Sequence, residues 1–196
     1  MKEESPIHYF FSKHIGSPLS QAQEEMVFSF YKKENIQKKT IVFSAGDANT
    51  RHYLIEKGLL RLYVIDSKGK EINILFAREN QVIGDLATPL PSHYYLETTE
   101  DSVVYSIDEE GLQLVMEKLS SDNKASPNNS FRRSYIHIQK RLVSILSKSA
   151  EENYLEFKTN YPDLIQRLPQ YHIAAYLGIS PEFLSKIIAK SVKSKS

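Results

Sequence analysis

Residues 170–189, QYHIAAYLGISPEFLSKIIA, constrain the fold of this chain more than any other segment. Their apolar spacing predicts two short helices that pack steeply around a tight turn, a helix-turn-helix. Gly178 stands where the first helix must end, because glycine adopts a left-handed conformation without steric cost. Ser180 is predicted to cap the second helix and Pro181 to open it. The predicted inner face consists of Ile173, Ala174, Leu177, Ile179, Leu184 and Ile187. The alternative is an αα-hairpin in an unrelated helical protein.

Charge is distributed unevenly along the chain, although the net charge is only +1. Residues 1–125 hold 14 Lys and Arg against 19 Asp and Glu, a balance of −5, whereas residues 126–196 hold 11 against 5, a balance of +6. The basic part contains the predicted helix-turn-helix, and a surface that binds phosphates requires such charge. The alternative is a solvated charged face.

The middle of the chain has the pattern of an antiparallel β-domain. Between residues 40 and 108, short β-rich runs alternate with turn residues, which predicts a sandwich or barrel. The runs are 40–43, 52–56, 59–65, 71–76, 94–99 and 103–107. In the run 59–65, Leu60, Leu62 and Val64 alternate with Arg61 and Tyr63, which predicts one buried face. Residues 5–35 are expected to be a helical lead-in, with Ser20 as an N-cap.

The pattern changes to helical after a polar stretch at residues 119–130, LSSDNKASPNNS, which predicts a loop or linker. A helix is predicted over residues 130–150, and a second one follows until Pro162 interrupts it. One stripe of the first helix carries Tyr135, Ile138, Leu142 and Ile145. These boundaries predict domains at residues 1–125 and 151–196, joined by a central helix at 126–150.

This order of elements resembles the Crp/Fnr family of bacterial transcription regulators. Residues 53–77 are similar to the family's cyclic-nucleotide-binding β-roll, and residues 167–187 to its DNA-binding end. The helix-rich end without an obvious wing resembles members from the Bacteroidetes group. The resemblance implies an α+β fold with a β-roll, a long central helix and a helix-turn-helix. It also implies a homodimer paired through the stripe on the central helix, whose alternative role is packing against its own β-roll.

The second helix of a helix-turn-helix enters the major groove of double-stranded DNA. Glu182 can accept from cytosine N4 and Lys186 can donate to guanine, although the two side chains could instead form only an exposed ion pair. The predicted DNA-binding residues are Gln170, Ser180, Pro181, Glu182, Ser185, Lys186 and Lys190. Ser180, Lys190 and the amides near Gln170 suit phosphates. The family commonly carries Arg where Pro181 stands, so a different half-site is expected.

An effector pocket is implied by the resemblance of Gly84, Asp85 and Leu86 to the Gly-Glu-Leu turn of cyclic-nucleotide receptors. The family's Arg-bearing segment should fall near Ser92 and His93, where this chain has no Arg. A buried phosphate without a cationic partner is costly, and Asp is shorter than Glu. We therefore expect an unknown small-molecule effector, or none, with a cyclic nucleotide as the alternative.

The sequence lacks the residues and motifs that several other kinds of site require. The chain has no cysteine, which excludes disulfides, thiolate zinc sites and iron–sulfur clusters. Its six histidines form no His-X-His pair, and neither a P-loop nor a nucleophile motif occurs, so no metal cofactor and no enzyme activity are expected. No apolar run is long enough for a membrane span and the N-terminus lacks a secretory signal, so the predicted location is cytoplasmic.

Two functions from different classes follow. The first is a dimeric, sequence-specific regulator that binds double-stranded DNA, with the β-roll as a sensor and RNA polymerase as a further partner if it activates transcription. The second is a ligand-binding or protein-interaction module that has lost operator recognition.

Overall fold

The computed structural model describes residues 5–48, 51–85, 91–122 and 128–193. The helices are α1 (Pro6–Ile15), α2 (Gln21–Phe28), α3 (Glu109–Asp122), α4 (Asn128–Ser147), α5 (Ala150–Asn160), α6 (Pro162–Arg167), α7 (Gln170–Leu177) and α8 (Pro181–Lys193). The strands are β1 (Lys32–Ile36), β2 (Ile41–Phe43), β3 (Arg51–Lys57), β4 (Leu60–Ile65), β5 (Glu71–Ala77), β6 (Val82–Ile83), β7 (Tyr95–Thr98) and β8 (Ser102–Asp108).

The chain forms two compact units. The first unit comprises residues 1–64 and 75–132, and the second comprises residues 65–74 and 133–196. The short segment 65–74 contains the turn between β4 and β5. The carboxylate of Asp66 accepts from the amides of Lys68 and Lys70 at 2.8 and 2.9 Å, and these bonds hold the pKa of that carboxyl below its ordinary value. The aspartate thus shapes the hairpin turn.

Two four-stranded sheets, ordered β1-β8-β3-β6 and β2-β7-β4-β5, form the β-roll. The strand pairs β1–β8, β2–β7, β3–β6, β3–β8 and β4–β7 are antiparallel. The strands predicted between residues 40 and 108 are confirmed, and the predicted α+β class with a β-roll is confirmed as well. One core cluster is buried among Phe43, Tyr53, Ile55, Leu60, Leu62, Ala77, Ile83, Leu96 and Val104.

Helices α1 and α2 begin as their capping residues require. The Ser5 side chain accepts from the amide of His8, and Ser20 and Gln23 form a capping box at the start of α2. Both helices pack with α3 on a second core cluster of the same unit. Its buried members are Ile7, Phe11, Leu19, Val27, Leu54, Tyr105, Ile107, Val115 and Leu119.

The expectation of helix up to residue 35 is wrong, because residues 32–36 form β1. Its register pairs Lys32 with Ser106 and Ile36 with Ser102 of β8. The segment KKENI has no apolar periodicity of its own, so its conformation depends on backbone pairing with a strand far along the chain. The predicted linker is also wrong in part, because residues 119–122 belong to α3 and residues 128–130 to α4. Residues 123–127 lie outside the described residues.

The prediction of one buried face on β4 is wrong as well. Arg61 and Tyr63 are 3% and 4% exposed, so both faces are buried at this point. Arg61 Nε donates to Glu97 Oε2 at 2.6 Å, and its guanidinium lies 3.9 Å from the ring centroid of Tyr63. The ring of Tyr63 in turn stacks on Tyr95 with a centroid distance of 5.1 Å. The carboxylate partner makes burial of the cation tolerable, and the sequence pattern does not encode it.

The second unit is helical apart from the segment 65–74. The predicted central helix is confirmed as α4, and α5 ends before Pro162 as expected, with α6 beginning at that proline. Ser149 and Glu152 form a capping box at the start of α5. The buried side chains of this unit include Tyr154, Phe157, Leu164, Leu168, Ile173, Ala174, Leu184 and Ile187. Within the described ranges, no helix is both long and apolar enough to cross a bilayer.

Candidate functional site

The turn between α7 and α8 has the predicted geometry. Gly178 adopts the left-handed conformation, with φ of 72°, and its amide donates to the carbonyl of Ala174. The Ser180 hydroxyl accepts from the amide of Phe183 at 3.1 Å, and its carbonyl accepts from Leu184. Pro181 is the first residue of α8. The glycine ends one helix and the serine caps the next, as the sequence predicts.

The inner face of this pair is apolar. Ile173, Ala174, Leu184 and Ile187 are buried, and Leu177 and Ile179 are partly buried. Because these side chains come from both helices, their burial fixes the angle at which α8 stands on α7. The predicted inner face is therefore confirmed.

The outer face of α8 carries the exposed side chains Pro181, Glu182, Ser185 and Lys186. Hydrogen bonds from its own amide and from Ser180, together with the charge of Lys186, hold the pKa of Glu182 below its ordinary value. Glu182 is therefore an anionic acceptor at neutral pH. Sequence reasoning missed Phe183, which is 47% exposed on the border of this face and interrupts its polar character.

Two predicted phosphate contacts lie at the edges of this surface. Lys190 Nζ contacts both carboxylate oxygens of Glu151, at 2.8 and 3.1 Å, and both side chains are largely exposed. Helix α7 begins at the exposed Gln170 after Pro169, which supplies no side-chain cap. The first amides of an uncapped helix point outward and can bind an anion.

The β-roll brings three of the predicted pocket residues together. The Ser92 hydroxyl donates to Asp85 Oδ2 at 2.7 Å, and both side chains are buried. Gly84 packs against β3, where an added Cβ would lie 2.8 Å from the carbonyl oxygen of Arg51. Close backbone approach therefore requires glycine at this position. His93 is exposed, and Leu86 lies outside the described residues.

Comparisons with known proteins agree with this architecture. Residues 33–118 match the family model of the cyclic nucleotide-binding domain. The anaerobic regulatory protein of Haemophilus influenzae is 22% identical over 174 residues, which covers 83% of this chain and 67% of that protein. The chain is therefore similar to a regulatory protein over most of its length and to the cyclic nucleotide-binding domain over residues 33–118.

Solved structures share the fold of this chain. FixK2 from Bradyrhizobium japonicum aligns with a TM-score of 0.67 and 16% identity, over 84% of this chain and 86% of that chain. A transcriptional regulator of the Crp/Fnr family from Eubacterium rectale aligns with a TM-score of 0.63 and 16% identity, over 88% and 83% respectively. The shared fold therefore extends from the β-roll into the helical end.

The central helix α4 exposes an apolar stripe. The predicted stripe of Tyr135, Ile138, Leu142 and Ile145 is 49–61% exposed. Packing within the single chain thus leaves about half of each apolar side chain uncovered. Next to this stripe, Arg141 and Ser144 are at least partly buried. The exposed apolar stripe is the kind of surface that another helix covers.

Proposed function

We propose that this chain is a dimeric, sequence-specific DNA-binding transcription regulator whose β-roll responds to an effector other than cyclic AMP bound in the usual way. The observation that carries the proposal is the outer face of α8. It presents Glu182, Ser185 and Lys186 to solvent beside a correctly capped turn. A recognition helix needs such a polar, unobstructed face near its N-terminus.

Base readout is assigned to Glu182 and Lys186. An anionic Glu182 accepts from cytosine N4, and Lys186 donates to guanine O6 and N7. Ser185 lies between them on the exposed face and is assigned a supporting polar contact. Pro181 has no donor, so the first position of α8 contributes shape rather than a hydrogen bond.

Phosphate contacts are assigned to Lys190, to the Ser180 hydroxyl and to the amides that begin at Gln170. The ion pair of Lys190 with Glu151 is exposed, so a DNA phosphate can displace the carboxylate at little cost. The positive balance of residues 126–196 supports the same surface.

Dimerisation is assigned to the exposed stripe on α4. Its members recur at helical spacing over a helix of 20 residues, which suits pairing with the same stripe of a second copy. A two-fold dimer would place the two α8 helices about 34 Å apart and select half-sites one helical turn apart.

Effector binding is assigned to the β-roll around Gly84, Asp85 and Ser92. Asp85 is bonded to Ser92 at 2.7 Å, where a receptor of the usual kind directs a longer Glu to the ribose. The predicted second segment also lacks the Arg that would balance a cyclic phosphate. An effector here would act by shifting an equilibrium between two arrangements of the recognition helices.

Selection of bound duplexes from a pool of random sequences at physiological salt tests sequence-specific DNA binding directly. We expect a two-fold symmetric motif whose half-sites lie about one turn apart. A pool without enrichment, with and without cell-extract metabolites, would contradict the proposal. That result would instead favour a ligand-binding or protein-interaction module, for which the existing pairing of Lys190 with Glu151 is the supporting observation.

Lys186→Ala separates base contacts from phosphate contacts. We expect it to lower affinity for the selected operator about tenfold and affinity for random DNA much less, because a good base contact contributes about 1–3 kcal/mol of discrimination. Lys190→Ala is the matched control on the same helix, and it should weaken both affinities alike. Equal losses on the two duplexes for Lys186→Ala would make it a phosphate contact.

A further inference from the structure

A cavity of about 130 Å³ lies within the second unit, between α4, α5 and α7. Three cationic or titratable side chains from α4 line it, namely His137, Lys140 and Arg141. Three aromatic side chains from the other elements complete the wall, namely Phe157, Tyr161 and Tyr176. This cavity lies outside the β-roll and outside the outer face of α8, and of the stripe assigned to the dimer it includes Ile145.

The charge of Arg141 is partly buried, and the hydrogen-bond acceptors that contact it among the described residues are neutral carbonyls. Its guanidinium donates to the carbonyl oxygens of Asn73, Ile74 and Tyr176, with Nη2 at 3.0 Å from the first and 2.9 Å from the third. It also lies 3.9 Å from the ring centroid of Tyr176. Arg141 Nε is buried and has no hydrogen-bond partner among the described residues. Desolvation lowers the pKa of this guanidinium, which shows that its environment disfavours the charge.

The nearby acid does not neutralise Arg141. Glu156 lines the same cavity, but its Oε2 accepts from Lys148 at 2.8 Å and from Ser144 at 2.5 Å. His137 cannot be a countercharge, because an imidazole is either neutral or cationic, and burial and the charges of Arg141 and Lys140 lower its pKa. The α4 side of the cavity is therefore electropositive, with two cations and an unused buried N–H.

The opposite wall suits a flat apolar body. Phe157 is 3% exposed and its ring lies 5.2 Å from those of both Tyr161 and Tyr176, measured between centroids. The ring of Phe157 is tilted by 48° to that of Tyr161 and by 53° to that of Tyr176, and a further ring can pack edge-to-face against such a cluster. An enclosed apolar cavity of about 150 Å³ holds one benzene molecule, so a volume of about 130 Å³ limits a ligand here to a single ring.

We propose that this cavity binds a small monocyclic aromatic carboxylate, with its carboxylate at Arg141 and Lys140 and its ring among Phe157, Tyr161 and Tyr176. The carboxylate supplies the acceptor for Arg141 Nε and the countercharge that the protein itself does not provide. Tyr176 belongs to the first helix of the helix-turn-helix, so the ligand would contact the helical end directly. This site is additional to the one assigned to the β-roll.

The test uses the full chain and benzoate as the probe, with ligand-observed saturation-transfer NMR and a titration at fixed ionic strength. Benzamide is the neutral probe of the same shape, and acetate is the anion without a ring. We expect binding of benzoate at a single site and at least tenfold weaker binding of both other probes, because the site requires charge and ring together. Equal binding of benzamide would overturn the proposal.

Substitutions of residues inside and outside the cavity test whether benzoate binds there. Arg141→Lys should weaken benzoate binding about tenfold, because the planar N–H fork is lost. Arg141 also bonds to three carbonyls and its loss could unfold the unit, so Lys140→Gln is the second variant. Lys140 is exposed and its removal should weaken binding about threefold without loss of stability. Lys158→Gln, an exposed lysine on α5 outside the cavity, is the matched control and should change nothing.

The benzoate experiments can fail or succeed independently of the DNA experiments, because the measurement of benzoate binding needs no operator DNA. Benzoate binding that falls in Arg141→Lys or Lys140→Gln and persists in Lys158→Gln supports the site, whether or not the chain selects an operator. No saturation transfer to benzoate, or equal binding in all the variants, would overturn it.

Discussion

Arg61 is the residue at which burial and charge conflict most directly in the β-roll. Its side chain is 4% exposed and that of Glu97 is 16% exposed, and the register of β4 and β7 places the two residues opposite each other. A buried ion pair contributes little net stability, but removal of one partner leaves an uncompensated charge. A charged residue at either of these two positions therefore requires a residue of opposite charge at the other.

Arg61→Met should lower the free energy of unfolding by about 3 kcal/mol, because Glu97 would remain buried without its cation. Urea denaturation followed by circular dichroism measures the loss. Arg61→Met combined with Glu97→Met should recover most of it. Lys32→Met, which breaks the exposed pair with Glu34, is the control and should stay within about 0.5 kcal/mol of the parent chain. Equal losses for Lys32→Met and Arg61→Met would contradict this account of burial.

Gly178 and Gly84 are needed for different reasons, and substitution of each by alanine distinguishes the two reasons. Gly178 has φ of 72° and open space around it, so Gly178→Ala should cost about 1 kcal/mol through backbone strain alone. Gly84→Ala should cost about 2–3 kcal/mol, because the new Cβ would overlap the backbone of Arg51. Thermal unfolding of the two variants gives the ranking. A smaller loss for Gly84→Ala than for Gly178→Ala would mean that β3 moves aside easily.

Helix α4 is the element that carries two separate functions in this protein. Its exposed stripe is assigned to the dimer, and Arg141 lines the cavity of the second unit together with Ile145, a member of the stripe. Residues three and four apart share one side of a helix, so Arg141, which lies three residues after Ile138 and four before Ile145, borders the stripe. Periodicity predicted the stripe, and its role in a dimer stays a proposal. Periodicity could not predict the cavity, which needs α5 and α7 as walls.

Leu142→Glu should convert the proposed dimer into a monomer, because a charge would be buried in the paired stripe. Sedimentation velocity measures the change. Val143→Glu is a matched control, since Val143 is 62% exposed against 56% for Leu142 but lies about 100° around the helix. We expect Val143→Glu to remain dimeric. A monomeric parent chain, or a dimer in Leu142→Glu, would contradict the assignment of this stripe.

At the scale of the whole molecule, the second unit is built from distant parts of the chain. The segment 65–74 belongs with residues 133–196 rather than with the sheets that flank it in sequence. Asn73 is fully buried and its Nδ2 donates to the carbonyl oxygen of His172 at 2.9 Å, across 99 positions of sequence. Arg141 donates to the carbonyls of Asn73 and Ile74 from a third segment. Hydrogen bonds from buried side chains thus hold this segment within the helical unit.

Asn73→Ala should therefore destabilise α7, although the change lies in strand β5. Loss of the buried hydrogen bond should cost about 1–3 kcal/mol and accelerate amide exchange in Gln170–Leu177. Hydrogen exchange followed by mass spectrometry measures this effect, and β8 amides should be unaffected. Asn35→Ala, at an exposed asparagine of β1, is the control. Unchanged exchange in α7 would show that the segment 65–74 contributes nothing to the helix-turn-helix.

Local chemistry was enough to predict much of this protein from its sequence. Gly178, Ser180 and Pro181 specify the helix-turn-helix because capping and left-handed turns depend on single residues. Alternating and helical periodicities likewise predicted most strands and the central helix, since each pattern depends only on near neighbours.

Tertiary structure alone decided the rest, because the deciding partners are far apart in sequence. Strand β1 exists through its pairing with β8, and the burial of Arg61 depends on Glu97, 36 positions away. The cavity depends on Arg141, whose acceptors include Ile74 at a separation of 67 positions. No pattern of neighbouring residues encodes contacts at such separations, so packing had to bring these groups together before their chemistry could be recognised.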